Sequence, residues 1–219
     1  DRLGSAAWQA RKARLKERIR DIADKLIKVA AARTLRPGIR ISACDRLYEE
    51  FCARFPYTET EDQSRAITET MADLDSGHSV DRLICGDVGF GKTEVALRAA
   101  FAAVLESKQV AFVVPTTLLC RQHYLNFRER LDGFPVRIEQ VSRLVAGKRV
   151  KEIKQELADG AVDIVVGTHA LLTKDVRFRD LGLLVIDEEQ HFGVAHKERL
   201  KQFKADVHVL TLSATPIPR

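Results

Sequence analysis

No apolar run in these 219 residues approaches the roughly 20 that a membrane-spanning helix needs. The first residues also lack the basic, apolar and small-residue blocks of a secretory signal. The four cysteines, Cys44, Cys52, Cys85 and Cys120, show no C-x-x-C spacing, which argues against a zinc site. A reduced, cytoplasmic protein with buried thiols is the expectation, with Cys85 closing a core strand. His169 and His191 stand without companion ligands, so no metal other than a nucleotide-linked Mg2+ is expected. There is no internal repeat, no low-complexity tract and no long block of like charge, so most of the chain should fold. With 45% of residues hydrophobic, it can build one sizeable α/β core with an appendage, or two small domains.

The net charge of +5 is unevenly spread. Residues 1–54 hold 14 Lys and Arg against 7 Asp and Glu, leaving 22 against 24 for residues 55–219. The basic excess belongs to the N-terminal segment, where it suits nucleic acid or an acidic partner, and it does not mark a basic groove across the core.

Residues 5–33 read as one long helix. Leu15, Ile19, Ile22, Leu26 and Val29 recur at helical spacing, Ser5 is placed to cap the start, and Pro37-Gly38 ends the segment. A helix packed on its own protein accounts for this stripe better than an independent coiled coil, because it spans under three heptads. A second short helix covers 45–54 and stops at Phe55-Pro56. A third runs from Thr60 to Asp75, with Thr60 and Gln63 at capping-box spacing. Gln63 fits two roles, the cap partner and an amide offering one donor and one acceptor to an adenine edge.

From residue 83 onward short Val/Ile/Leu runs alternate with helical patterns. The strands are expected at 83–85, 109–114, 136–141, 162–166, 183–186 and 207–212, with helices at 92–106, 118–130 and 148–158. That is the pattern of an α/β fold, a parallel sheet with helices on both faces. Its ligand is expected beyond the carboxyl ends of the strands.

The first of those ends carries Gly86-Asp87-Val88-Gly89-Phe90-Gly91-Lys92-Thr93, which fits G-x-x-x-x-G-K-[ST] between a strand and a helix. Glycine lets the backbone curl with its N–H groups turned toward phosphate oxygens. The helix start adds its positive dipole end. Lys92 is placed for the β- and γ-phosphates and the Thr93 hydroxyl for Mg2+. The fifth strand ends in Asp187-Glu188. Asp187 is placed to hold Mg2+, and Glu188 to orient or deprotonate the attacking water. A carboxylate neutralised by a metal is a poor base, so the two jobs need two groups. ATP with Mg2+ is the expected ligand, and Lys92, Asp187 and Glu188 the expected catalytic set.

The remaining strand ends carry Thr116-Thr117, Ser142-Arg143 and Thr168-His169. Hydroxyls, backbone N–H groups and one Arg suit phosphate-backbone contacts, which position nucleic acid without reading bases. Helix capping accounts for the Thr and Ser residues equally well.

In this order the blocks resemble the first RecA-like lobe of superfamily 2 helicases and translocases. Gly86–Thr93 is similar to motif I, 115–118 to Ia, 167–169 to Ib, 187–190 to II and 213–215 to III. Phe55 through Gln63 resembles the adenine-sensing Q motif, which favours Phe55 and Gln63 as base contacts. The narrower resemblance is to the bacterial transcription-repair coupling factors, with RecG branch-migration helicases as near relatives. It rests on Gly-Asp-Val-Gly-Phe-Gly-Lys-Thr-Glu-Val-Ala, Asp-Glu-Glu-Gln and Thr-Pro-Ile-Pro-Arg, and on Leu3-Gly4, Trp8 and Ala-Ala-Arg at 31–33 in the N-terminal segment. His191 and Ser213 depart from the usual residues of that family.

The resemblance implies two parts, a basic helical linker over 1–54 and a RecA-like lobe over 55–219, with a second lobe beyond motif III. Gln190, Ser213 and Thr215 would couple hydrolysis to movement. The implied partners are double-stranded DNA, the second lobe, and RNA polymerase and excision-repair proteins reached through other regions. A lobe by itself is expected to bind ATP with little turnover, because the arginine finger lies on the second lobe.

Overall fold

The computed structural model describes residues 14–17, 19–20, 38–42, 45–87, 89–188 and 207–214. The chain divides into two compact units, Asp1–Pro37 and Gly38–Arg219. In the first, residues 14–17 and 19–20 are helical, and the rest of the long helix expected over 5–33 lies outside the described residues.

The second unit begins at Gly38 rather than at 55. The reason is burial: Ile41, Tyr48 and Phe51 are enclosed in the same core as the sheet. Helix α1, Arg46–Ala53, therefore belongs to the lobe. Helix α2, Glu61–Asp75, starts with a complete capping box: Gln63 N–H donates to Thr60 Oγ1, and Thr60 N–H to Gln63 Oε1.

The rest alternates: β1 Asp81–Cys85, α3 Lys92–Leu105, β2 Gln109–Val113, α4 Thr117–Arg130, β3 Ile138–Val141, α5 Gly147–Asp159, β4 Ile164–Gly167, a 3-10 turn His169–Leu172, β5 Leu181–Asp187 and β6 His208–Ser213. The described strands form one parallel sheet in the order β1-β6-β5-β2-β4-β3.

Side chains alternate along each strand, so each face has its own core. Val110, Phe112 and Val114 face one cluster, together with residues of α1 to α4. Ala111 and Val113 face the other, with Ile153 and Leu157 of α5 and Leu171 and Leu172 of the 3-10 turn. Helix α3 is apolar nearly all round, and Val95 to Ala103 are buried, which seats the helix behind the glycine-rich loop inside the protein.

Two sequence expectations shift. Val136 and Val162 pack in the interior but precede the ladders that begin at Ile138 and Ile164, because hydrophobicity marks burial and not strand pairing. Cys85 is exposed rather than buried, since β1 is at the edge of the described sheet, where β6 is its one neighbour among the described strands.

Candidate nucleotide-binding site

Strand β6 lies between β1 and β5, which brings three sequence-distant strand ends together. Gly86 N–H donates to Ser213 O at 3.3 Å, and Glu188 N–H donates to Leu212 O at 2.9 Å. The N–H of Ala214 donates to Glu188 Oε1 at 3.0 Å. Glu188 sits at φ 55°, a left-handed conformation that a non-glycine residue adopts at a cost. The loop before α3, the end of β6 and the two carboxylates thus share one edge.

In the loop, Gly89 and Gly91 have φ of 87° and 75°, which a side chain would strain. Gly91 is the N-cap of α3 and contributes no side-chain cap, so the first-turn N–H groups face the loop uncapped by a side chain. The Lys92 ammonium donates to Gly86 O, and to Asp87 O at 2.9 Å. Those bonds use two of its three donors and hold it inside the curl of the loop. Val88 lies outside the described residues.

Gln63 connects this loop to α2. Its Oε1 is the capping acceptor for Thr60, while its Nε2 donates to Phe90 O at 2.8 Å. A Cβ built on Gly91 would stand 2.4 Å from Gln63 Nε2. Gln63 is therefore the cap partner and a brace of the loop at once.

Asp187 ends β5 with its side chain 15% exposed, and Asp187 Oδ2 lies 3.5 Å from His123 Nε2 of α4. The Thr93 hydroxyl and the Asp187 carboxylate are hard oxygen donors of the kind Mg2+ takes alongside substrate phosphates. Among the described residues no cluster of three or more His, Cys, Asp or Glu forms a protein-only metal cage, and a phosphate-linked Mg2+ needs none. The donor set fits the ion.

Phe55 lies between two guanidinium groups, with Arg98 5.5 Å and Arg130 5.4 Å from its ring centre. Both arginines meet Glu94, the residue after Thr93: Arg98 Nε donates at 3.0 Å and Arg130 Nη2 at 2.9 Å. Arg98 also pairs with Glu59 at 2.6 Å. Burial alone would lower the Arg98 pKa, but the hydrogen bonds to Glu94 and Glu59 raise it above its ordinary value. This buried network gave no sequence signal beyond Glu94 and Arg98 standing four apart on one helix. His123 gave none, because nothing local links position 123 to 187.

The candidate nucleic-acid residues stand at the ends of β2, β3 and β4, the other half of the sheet. Thr116 is exposed and Thr117 half-buried, and Thr116 Oγ1 accepts from Leu119 N–H at 3.2 Å, capping α4. Arg143 is exposed, and His169 is half-buried in the 3-10 turn. Ser142 and Thr168 are each 5% exposed, so neither side chain is presented as the open-loop hydroxyl expected from the sequence. Ser142 Oγ instead accepts from Leu144 N–H at 3.3 Å and bonds the Cys120 thiol. The tight turn after β3 uses the Ser142 hydroxyl, and Thr168 is covered by burial at the end of β4. Ser213 is half-buried, and Gln190, His191 and Thr215 lie outside the described residues.

The family model described as "DEAD/DEAH box helicase" matches residues 60–219. The chain is 50% identical over 218 residues to the transcription-repair-coupling factor of Escherichia coli strain K12, covering 100% of this chain and 19% of that protein. It is 52% identical over 219 residues to that of Staphylococcus haemolyticus, covering 100% of this chain and 19% of the relative. The Rickettsia bellii protein of the same description is 52% identical over 223 residues, with 100% and 20% covered. The chain thus spans about a fifth of the length of the relatives it matches.

Among solved structures, RecG bound to a three-way DNA junction is similar with a TM-score of 0.75 at 37% identity, covering 88% of this chain and 26% of that one. The DUF1998 helicase MrfA shares the fold at a TM-score of 0.60 and 15% identity, over 80% of this chain and 29% of that one.

Proposed function

The chain belongs to the DEAD/DEAH box helicase family, and on that premise we propose that Gly38–Arg219 is the first, ATP-binding lobe of a double-stranded DNA translocase. The observation that carries this reading is the joined edge of β1, β6 and β5, where Gly86 meets Ser213 and Ala214 meets Glu188. Binding, hydrolysis and a backbone link between them meet there.

In this reading the uncapped start of α3 and Lys92 bind the phosphates, and Thr93 with Asp187 holds Mg2+, which supplies charge neutralisation for phosphoryl transfer. Glu188 orients the attacking water. Gln63 and Phe55 flank the adenine. Thr116, Thr117, Arg143 and His169 meet the DNA backbone, and Gln190, Ser213 and Thr215 couple the two events. Similarity over all of this chain, which matches 19% of each coupling factor, supports a place in a protein that acts on stalled RNA polymerase and recruits excision repair through other regions.

The test is ATP turnover with and without duplex DNA, for this chain and for the chain extended through a second lobe. DNA-stimulated turnover by the extended chain alone is expected, and Lys92→Ala should abolish it. Nucleotide binding without turnover in either form would replace the motor with a nucleotide-regulated interaction module.

A further inference from the structure

The sheet has two functional halves. The candidate ATP groups stand on β1, β6 and β5, and the candidate DNA groups stand after β2, β4 and β3. The seam runs between β5 and β2. The side chain of His123 crosses it at the carboxyl ends of the strands. His123 lies on α4, the helix that begins at Thr117 and packs on β3 and β4, and its Nε2 reaches to 3.5 Å from Asp187 Oδ2 on β5.

We propose that His123 is a positioning residue for Asp187, donating from Nε2 to the carboxylate and tying the metal-binding end of β5 to the helix that carries Thr116 and Thr117. The inference rests on the nucleotide-site reading above.

Three observations support it. First, His123 is only 8% exposed, so its polar atoms have little water to turn to. Second, its ring is fixed by packing, with Phe112 centred 5.2 Å away and Phe127 5.6 Å away. Third, its Nδ1 is buried with no hydrogen-bond partner. A proton on that nitrogen would be stranded, whereas a proton on Nε2 faces a carboxylate oxygen. A ring that carries its proton on Nε2 therefore satisfies the pair best. The 3.5 Å separation is long for a hydrogen bond, and such contacts commonly tighten when the full ligand complex assembles. A donor on one carboxylate oxygen turns the other toward a cation, the usual task of an outer-shell partner.

A buried histidine that merely fills space would behave otherwise, and two variants separate the cases. His123→Phe keeps an aromatic ring against Phe112 and Phe127 but has no donor. His123→Gln keeps a terminal N–H at comparable reach. The affinity of the 219-residue chain for a non-hydrolysable ATP analogue is measured with Mg2+ and with EDTA, with thermal unfolding followed alongside.

The Phe variant is expected to lose about tenfold of the Mg2+-dependent gain in affinity while its affinity in EDTA stays unchanged. The Gln variant should recover most of the loss. If Phe keeps the full gain, or Gln loses as much as Phe, the proposal is overturned. If Phe lowers Tm, His123→Leu takes its place with the same two outcomes. A wild-type chain that binds no analogue under either condition overturns the nucleotide-site reading and this inference together. A wild type that binds with a Mg2+-dependent gain leaves the first reading standing and tests the second alone.

Discussion

The backbone N–H of Ala214 and the Oε1 of Glu188 are joined at 3.0 Å, so the carboxylate expected to activate water is anchored to the end of β6. A glutamine at 188 keeps an oxygen for that bond but cannot take a proton. Glu188→Gln should therefore retain nucleotide affinity and Tm, while turnover in the chain extended through a second lobe falls by about 10²–10⁴-fold. Glu188→Ala should lose turnover and also about 1 kcal/mol of stability, since the Ala214 N–H loses its acceptor. Steady-state ATPase assays and urea unfolding separate the two variants.

Gly91 and Gln63 form one unit. Gly91→Ala places a Cβ in a left-handed backbone, costing about 1–2 kcal/mol. It also displaces the Gln63 amide from Phe90 O. Gln63→Ala removes the same bond together with half of the capping box. The double variant should be less destabilised than the sum of the single ones, because both break one contact. Unfolding midpoints for the four proteins close the cycle, and strict additivity would refute the shared contact.

Glu94 is the acceptor for two arginines whose side chains are only 5% and 18% exposed. Removing it takes the carboxylate from Arg130 and leaves Arg98 with Glu59 alone. Glu94→Ala should destabilise the lobe by about 3–5 kcal/mol. Glu94→Gln, which keeps an acceptor oxygen, should cost less. Urea denaturation measures both, and a near-neutral Ala variant would mean that the network contributes nothing to stability.

Cys120 is buried on α4, and burial pushes its thiol up to about 11, against a smaller opposing effect of its bond to Ser142. Cys85 is exposed at the sheet edge. In the folded chain an alkylating reagent should label Cys85 and spare Cys120 at neutral pH and still at pH 9, because Cys120 remains a protonated thiol below its raised pKa. Peptide mapping reads the order, and denaturant should make Cys120 reactive.

The sequence by itself determined the alternation of strands and helices, the glycine-rich loop before Lys92 and the paired carboxylates after β5. Short continuous apolar runs, period-3.6 apolar patterns, capping residues and phosphate-loop spacing are local chemistry, readable without a partner. The capping role of Gln63 was legible for the same reason, as Thr60 stands three residues away.

Tertiary structure alone decided the rest. Whether Cys85 is covered depends on β1 being an edge strand, and whether Ser142 faces solvent depends on a turn closing over it. The approach of His123 to Asp187, and of Arg98 and Arg130 to Phe55, joins residues with no common local pattern. Such contacts arise only when helices settle on the two faces of a sheet, where burial and close packing, not sequence spacing, choose each side chain's neighbours.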